Sequence, residues 1–227
     1  VSVRKLNGLV SSAKLGCLII PSPTTTGTGS EVTRIAVFYD KETRMKEALY
    51  SDMLYGYAAI LDPRLTVSLP VKYTASTGMD ALSHAVEGYI SLKNTIMTDA
   101  LSLGSIRTFF DYLQIACKDG NDIEARARMQ ESVMMAAISI GHASVTVALT
   151  LAYPLASEYH VPHGASCALV MVPVLEYSLA EASGRYAEMA IALGIGDTSA
   201  SEEANARLFL DAMRTLGESV PIPKSLR

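Results

Sequence analysis

The chain has 227 residues, 49% of them hydrophobic and 19% charged, with a formal net charge of −4. That length suffices for one large domain or two small ones with a sizeable core. No run of Lys or Arg and no basic cluster interleaved with aromatics occurs, which leaves nucleic-acid binding without support.

Cys17, Cys117 and Cys167 are odd in number, far apart and in no C-x-x-C pair. They read as reduced thiols in a cytosol-like compartment, not as a disulfide framework, so the expected location is cytoplasmic. The chain starts at Val1 with no signal-like segment, so residue 1 need not be the natural N-terminus.

Residues 1–14 read as a polar helix or a loose end. The apolar run Leu15 to Ile20 suits a short buried parallel strand. It leads into Pro21-Ser22-Pro23-Thr24-Thr25-Thr26-Gly27-Thr28-Gly29-Ser30-Glu31. A turn of this kind gathers backbone N–H groups and hydroxyls at one point, a cradle for phosphate or another anion. It is neither a Walker loop nor G-x-G-x-x-G, and an ordinary polar loop is the alternative reading. A second strand is expected within Thr33 to Tyr39, a turn over Asp40-Lys41-Glu42-Thr43 and a strand edge around Lys46. A third strand is expected over Tyr57 to Leu61, ended by Asp62-Pro63. Pro70 marks a domain boundary, with residues 1–70 strand-rich and residues 71–227 helical.

Helical patterns dominate from Thr74 onward. Gly78 to Tyr89 reads as the opening turns of a helix that runs to about Leu92. Further helices are expected at about 97–117, stopped by Asp119-Gly120, and at about 122–143. No Asp, Glu, Lys or Arg lies between Glu131 and Glu158. Ser139, Gly141, His142, Ser144, Thr146, Thr150 and Pro154 interrupt that stretch, so it reads as one or two buried helices to about Tyr159 and not as a membrane span. The next helix begins near His163 or Gly164 and runs to about Ala182; a short one covers about 184–193 and ends at Gly194. The last, about 200–216, opens at Ser201-Glu202-Glu203 and stops at Gly217, with Ala204, Leu208, Ala212, Met213 and Leu216 on one face.

Asp80 and His84 are four residues apart and so share one helix face. A carboxylate and an imidazole side by side can hold one divalent metal. Around them Ala81, Leu82, Ala85 and Val86 are apolar, which puts the pair in a packed interior where an Asp needs a partner. A plain Asp–His hydrogen bond is the simpler alternative, and the pattern alone does not separate the two.

Three ordered pieces resemble the iron-containing (group III) alcohol dehydrogenase family. They are Pro23 to Thr33, Gly78 to Glu87, and Tyr153-Pro154-Leu155-Ala156-Ser157-Glu158-Tyr159-His160-Val161-Pro162-His163-Gly164. Asp62-Pro63-Arg64-Leu65-Thr66 fits the family's linker. The resemblance implies a dehydroquinate synthase-like architecture. The C-terminal part of a dinucleotide-binding α/β domain (1–70) precedes an all-α metal and substrate domain (71–227). It further implies that the chain lacks N- and C-terminal parts of such an enzyme. By resemblance Asp80, His84 and His163 are three of four metal ligands, for Fe(II) or Zn(II). Thr24, Thr25, Thr28 and Ser30 touch NAD or NADP, with Lys46 a ribose or phosphate contact or else a plain surface lysine. The fourth ligand is expected fourteen residues before His163, and that position is Leu149. Three protein ligands plus water can still make a catalytic site, though a weaker one. His142 and His160 are not expected to replace the missing ligand. The implied reaction is hydride transfer between the dinucleotide and a small alcohol, aldehyde or ketone, by a homo-oligomer, a dimer. Two other readings stay open: an impaired or non-catalytic member of the family, and a helical module that binds metal or another small ligand without redox chemistry.

Overall fold

The computed structural model describes residues 17–40, 45–159 and 161–225. Among them are two strands, β1 (Ile35–Asp40) and β2 (Met45–Tyr50), and seven α-helices. These are α1 (Val71–Ile90), α2 (Ile96–Lys118), α3 (Ile123–Ala143), α4 (Val147–Glu158), α5 (His163–Tyr177), α6 (Leu179–Ala192) and α7 (Glu202–Ser219). The expected polar helix at 1–14 and the residues Lys41 to Thr43 of the turn lie outside the described residues, as does His160.

Helix α1 is the axis of the helical part. Every residue from Gly78 to Tyr89 is buried. Helices α2 and α3 pack against each other and against one side of α1, α5 packs against another, and α4 lies on α5. Helices α6 and α7 form a further pair. Helix α1 starts at Val71, earlier than the sequence pattern suggests, because Pro70 stops the preceding chain and its carbonyl accepts the first amide bonds. Arg126 staples this start to α3. Its guanidinium donates to the Leu69 carbonyl (3.3 Å), the Thr74 hydroxyl (2.8 Å) and the Gly120 carbonyl (3.0 Å).

Side-chain caps set the starts of three of the described helices. Thr95 and Thr98 form a reciprocal cap at the start of α2. Asp122 accepts from Ala125 N–H at α3, and Ser201 from Ala204 N–H at α7. The uncharged stretch is the end of α3 and all of α4, which meet at 107°. Ser144 makes this corner with φ 70°, ψ 159°, a conformation that favours glycine. Among the described residues no single helix is long and apolar enough to cross a membrane.

Four sequence expectations fail. Cys17 to Ile20 and Tyr57 to Leu61 form no strands; Leu18 (67%), Ile19 and Ile20 are exposed. Two backbone bonds join these stretches, Tyr57 N–H to Ile19 O and Ile60 N–H to Pro21 O, and the Ser22 hydroxyl donates to Ile60 O. Pro21 and Pro23 have no amide hydrogen to extend that ladder. The strand content is therefore the antiparallel β1–β2 pair, with Tyr39 opposite Lys46. The helix expected from 163 to 182 is instead α5 and α6, bent by 110° around Ser178, whose hydroxyl and amide both turn back to Val174 O. Helix α7 passes through Gly217 to Ser219, and its buried face is Asn205, Ala206, Phe209, Leu210, Met213 and Leu216, while Ala204 and Leu208 face solvent.

Candidate metal and cofactor site

Helix periodicity places Asp80, His84 and Glu87 on one face of α1. Asp80 is 3% exposed. Its Oδ1 stands 3.7 Å from His84 Nε2 and 3.6 Å from His163 Nε2, beyond hydrogen-bond length. That oxygen is fully buried and has no hydrogen-bond partner among the described residues; His84 Nδ1 is in the same condition. A buried carboxylate oxygen between two imidazole nitrogens and bonded to neither fits a shared divalent cation better than a simple Asp–His hydrogen bond.

His163 opens α5, directly after Pro162. A β-carbon on Gly164 would stand 2.0 Å from Ser76 O and 3.2 Å from Asp80 Cβ, so only glycine lets α5 lie this close to α1. The Pro-His-Gly run thus delivers the imidazole to Asp80. Burial lowers the His163 pKa; Asp80 opposes that, and Lys46 and His84 reinforce it. The ring is therefore neutral at physiological pH, the form that ligates metal.

One turn further along α5, Cys167 joins the pair. Its Sγ is 3.8 Å from His163 Nε2. Ligand atoms of Asp80, His163 and Cys167 all lie within 4.8 Å of one another. His84 is not part of this trio; its Nε2 faces Asp80 Oδ1. Sequence reasoning missed Cys167 because the cysteines were weighed only for disulfides and compartment. The signal was present: His163 and Cys167 have the same four-residue spacing as Asp80 and His84.

Leu149 is buried, in a small cluster with Ala152 and Cys167, and Tyr153 packs against that cluster. Its backbone N–H donates to Glu87 Oε1 (3.2 Å), as does the Thr146 hydroxyl. Thr146 is the N-cap of α4 and caps it with no bond of its own. Fully buried Glu87 therefore caps α4 from α1, a role the sequence did not disclose. The Tyr153 and His163 ring centroids are 5.7 Å apart. Lys46, on β2, holds its ammonium 5.3 Å from the Tyr153 ring centroid. Burial lowers the Lys46 pKa, and Cys167 and Asp80 pull it back up. Burial raises the Tyr153 pKa. His142 is exposed, with Nδ1 on Ile138 O, away from this cluster.

The Pro/Thr/Gly loop divides its residues by task. Thr26, Gly27 and Gly29 are buried, whereas Thr24, Thr25, Thr28 and Ser30 are exposed and line a pocket of about 350 Å³ with Pro21, Pro23 and Glu31. Gly29 has φ +61°, and a β-carbon there would stand 2.2 Å from Ala137 Cβ of α3. A β-carbon on Gly27 would stand 2.9 Å from Thr77 Cβ. Thr77 is one turn before Asp80 on α1, so the loop and the Asp80 cluster are seated on consecutive turns of one helix. Lys46 lies with the Asp80 cluster and does not line the loop pocket.

Residues 74–227 match the Fe-containing alcohol dehydrogenase family, C-terminal, and residues 6–63 match Iron-containing alcohol dehydrogenase. Long-chain-alcohol dehydrogenase 1 of Geobacillus thermodenitrificans is 38% identical over 97% of this chain and 55% of its own length. The structure of an alcohol dehydrogenase from Oenococcus oeni superposes with a TM-score of 0.94 at 34% identity, covering 99% of this chain and 59% of that one. Sulfoacetaldehyde reductase from Bifidobacterium kashiwanohense, in complex with NAD+, superposes at 0.84 and 32% identity, covering 92% of this chain and 54% of that one. The chain spans about half the length of the relatives it matches.

Proposed function

The chain belongs to the iron-containing alcohol dehydrogenase family, and from that premise we propose that it serves NAD(P)-dependent, metal-dependent interconversion of small alcohols and their aldehydes or ketones. The observation that carries this reading is the orphaned, buried Asp80 Oδ1 between His84 Nε2 and His163 Nε2. Asp80, His84 and His163 hold the divalent metal, Fe(II) or Zn(II). When bound, the metal polarises the carbonyl oxygen and the dinucleotide carries the hydride.

The chain's own residues do the rest. Asp80 supplies negative charge, and the two imidazoles ligate as neutral rings. Tyr153, its pKa raised by burial, keeps its hydroxyl proton at neutral pH and offers it as a hydrogen-bond donor beside His163. Leu149 and Ala152 wall the cluster with apolar surface and exclude water. Thr24, Thr25, Thr28 and Ser30 contact the dinucleotide, and Lys46, outside that pocket, holds a positive charge over Tyr153 from β2. The division at Pro70 then separates a cofactor-binding part, 1–70, from a metal and substrate part, 71–227. A dimer is the proposed assembly and the cytoplasm the proposed location.

The test is NADH- and NADPH-dependent reduction of short aldehydes by the Fe(II)- or Zn(II)-loaded protein, beside Asp80→Asn. Asn keeps the shape of Asp and removes its charge. Loss of turnover and of bound metal together in Asp80→Asn supports the reading; full turnover in that variant overturns it.

A further inference from the structure

We propose that Cys167 is a ligand of the same metal, so that the site is an Asp/His/Cys centre in place of one built only from oxygen and nitrogen. The inference rests on the metal reading above. Three observations carry it.

The first is distance. Asp80 Oδ1 and His163 Nε2 are 3.6 Å apart, and His163 Nε2 and Cys167 Sγ 3.8 Å. Two donors on one tetrahedral zinc, with arms of about 2.0–2.3 Å, stand about 3.3–3.8 Å apart. A metal therefore fits between His163 and each of these two neighbours with shifts of a few tenths of an ångström, and the Asp80 carboxylate and Cys167 Sγ lie within 4.8 Å of each other. The second is the unmet need at the centre. Asp80 Oδ1 is buried and without a hydrogen-bond partner among the described residues, and the Asp80 carboxylate lies within 4.8 Å of the Cys167 sulfur. The third is the neighbour. Leu149, at the position where a fourth ligand was expected, packs in one buried cluster with Cys167. The apolar side chain on α4 and the sulfur on α5 thus occupy adjoining space beside the metal position. Cys167 forms a three-donor set with Asp80 and His163, and His84 Nε2 stands 3.7 Å from Asp80 Oδ1.

Two consequences follow. On binding, the Cys167 thiol gives its proton to solvent and a metal–sulfur bond forms in place of the S–H bond. A thiolate also softens the site, which favours zinc over magnesium or calcium.

The test uses Co(II) as probe on the metal-stripped full chain, read by absorption spectroscopy and by Co(II) titration. Wild type and Cys17→Ser are expected to show the near-ultraviolet thiolate-to-Co(II) charge-transfer band. Cys167→Ser and Cys167→Ala are expected to lose that band, keep the weaker visible bands of bound Co(II), and bind it at least about tenfold more weakly. Circular dichroism checks that each variant is folded, and the Ala variant avoids burying a hydroxyl. Co(II) bound by wild type without the charge-transfer band, or a band that survives in folded Cys167→Ala, overturns the inference alone. No Co(II) binding by wild type overturns it together with the metal reading on which it rests.

Discussion

Gly164 seats helix α5 on the Ser76 carbonyl of α1, so closely that a β-carbon at position 164 would stand 2.0 Å from that oxygen. The obstacle is backbone, which cannot swing aside as a side-chain tip can. Gly164→Ala must move α5, and with it His163 and Cys167. The expected cost is about 1–3 kcal/mol of stability, the range for overpacking a close-fitted interior. Metal content should fall with it. Urea unfolding and metal analysis check both, and unchanged metal loading in Gly164→Ala would separate the packing from the site.

Glu87 ties the site to α4. It is fully buried, and its Oε1 accepts from the Thr146 hydroxyl and the Leu149 amide. Glu87→Ala leaves that cap unmet and should lower stability by about 1–3 kcal/mol. Glu87→Gln keeps an acceptor oxygen in place and should cost less. Tyr153 and Leu149 ride on α4, so hydrogen exchange of the first turn of α4 should quicken in the Ala variant. Equal exchange in wild type and Glu87→Ala would contradict the capping role.

Cys117 gives a pH signature away from the site. Burial pushes its thiol up to about 11 from an ordinary value of 9.0, with Arg126 opposing. Between those values the unfolded chain has lost the thiol proton and the folded chain keeps it. Stability from this group therefore falls as pH rises from about 9 to about 11. The difference in urea midpoint between wild type and Cys117→Ala should drift in that direction over that window. A pH-independent difference would contradict it.

Much of this was legible in the chain. Helices α2, α3 and α7 open at the capping residues Thr95, Asp122 and Ser201, and the i,i+4 pair Asp80/His84 was readable as one face. The misses have physical causes. Leu18, Ile19 and Ile20 look like a buried strand, but apolar content does not say whether anything covers it, and the prolines beside them remove amide donors. The face of α7 was misplaced because Ala204 and Leu208 are as apolar as Ala206 and Phe209, and only packing chooses between them. The break at Ser178 was hidden because Pro173, the obvious breaker, sits inside α5. The role of Glu87 was not legible because its partner, the start of α4, is brought to it only by tertiary packing, whereas Cys167 carried a readable signal in its four-residue spacing from His163.

Helices α1 and α5 together present the proposed metal centre. Metal content per chain is measured after anaerobic loading with Fe(II) or Zn(II), with His163→Ala alongside. Close to one metal per wild-type chain is expected, and its loss in His163→Ala. A wild-type chain that stays free of metal, or a His163→Ala chain that keeps its full complement, would contradict it.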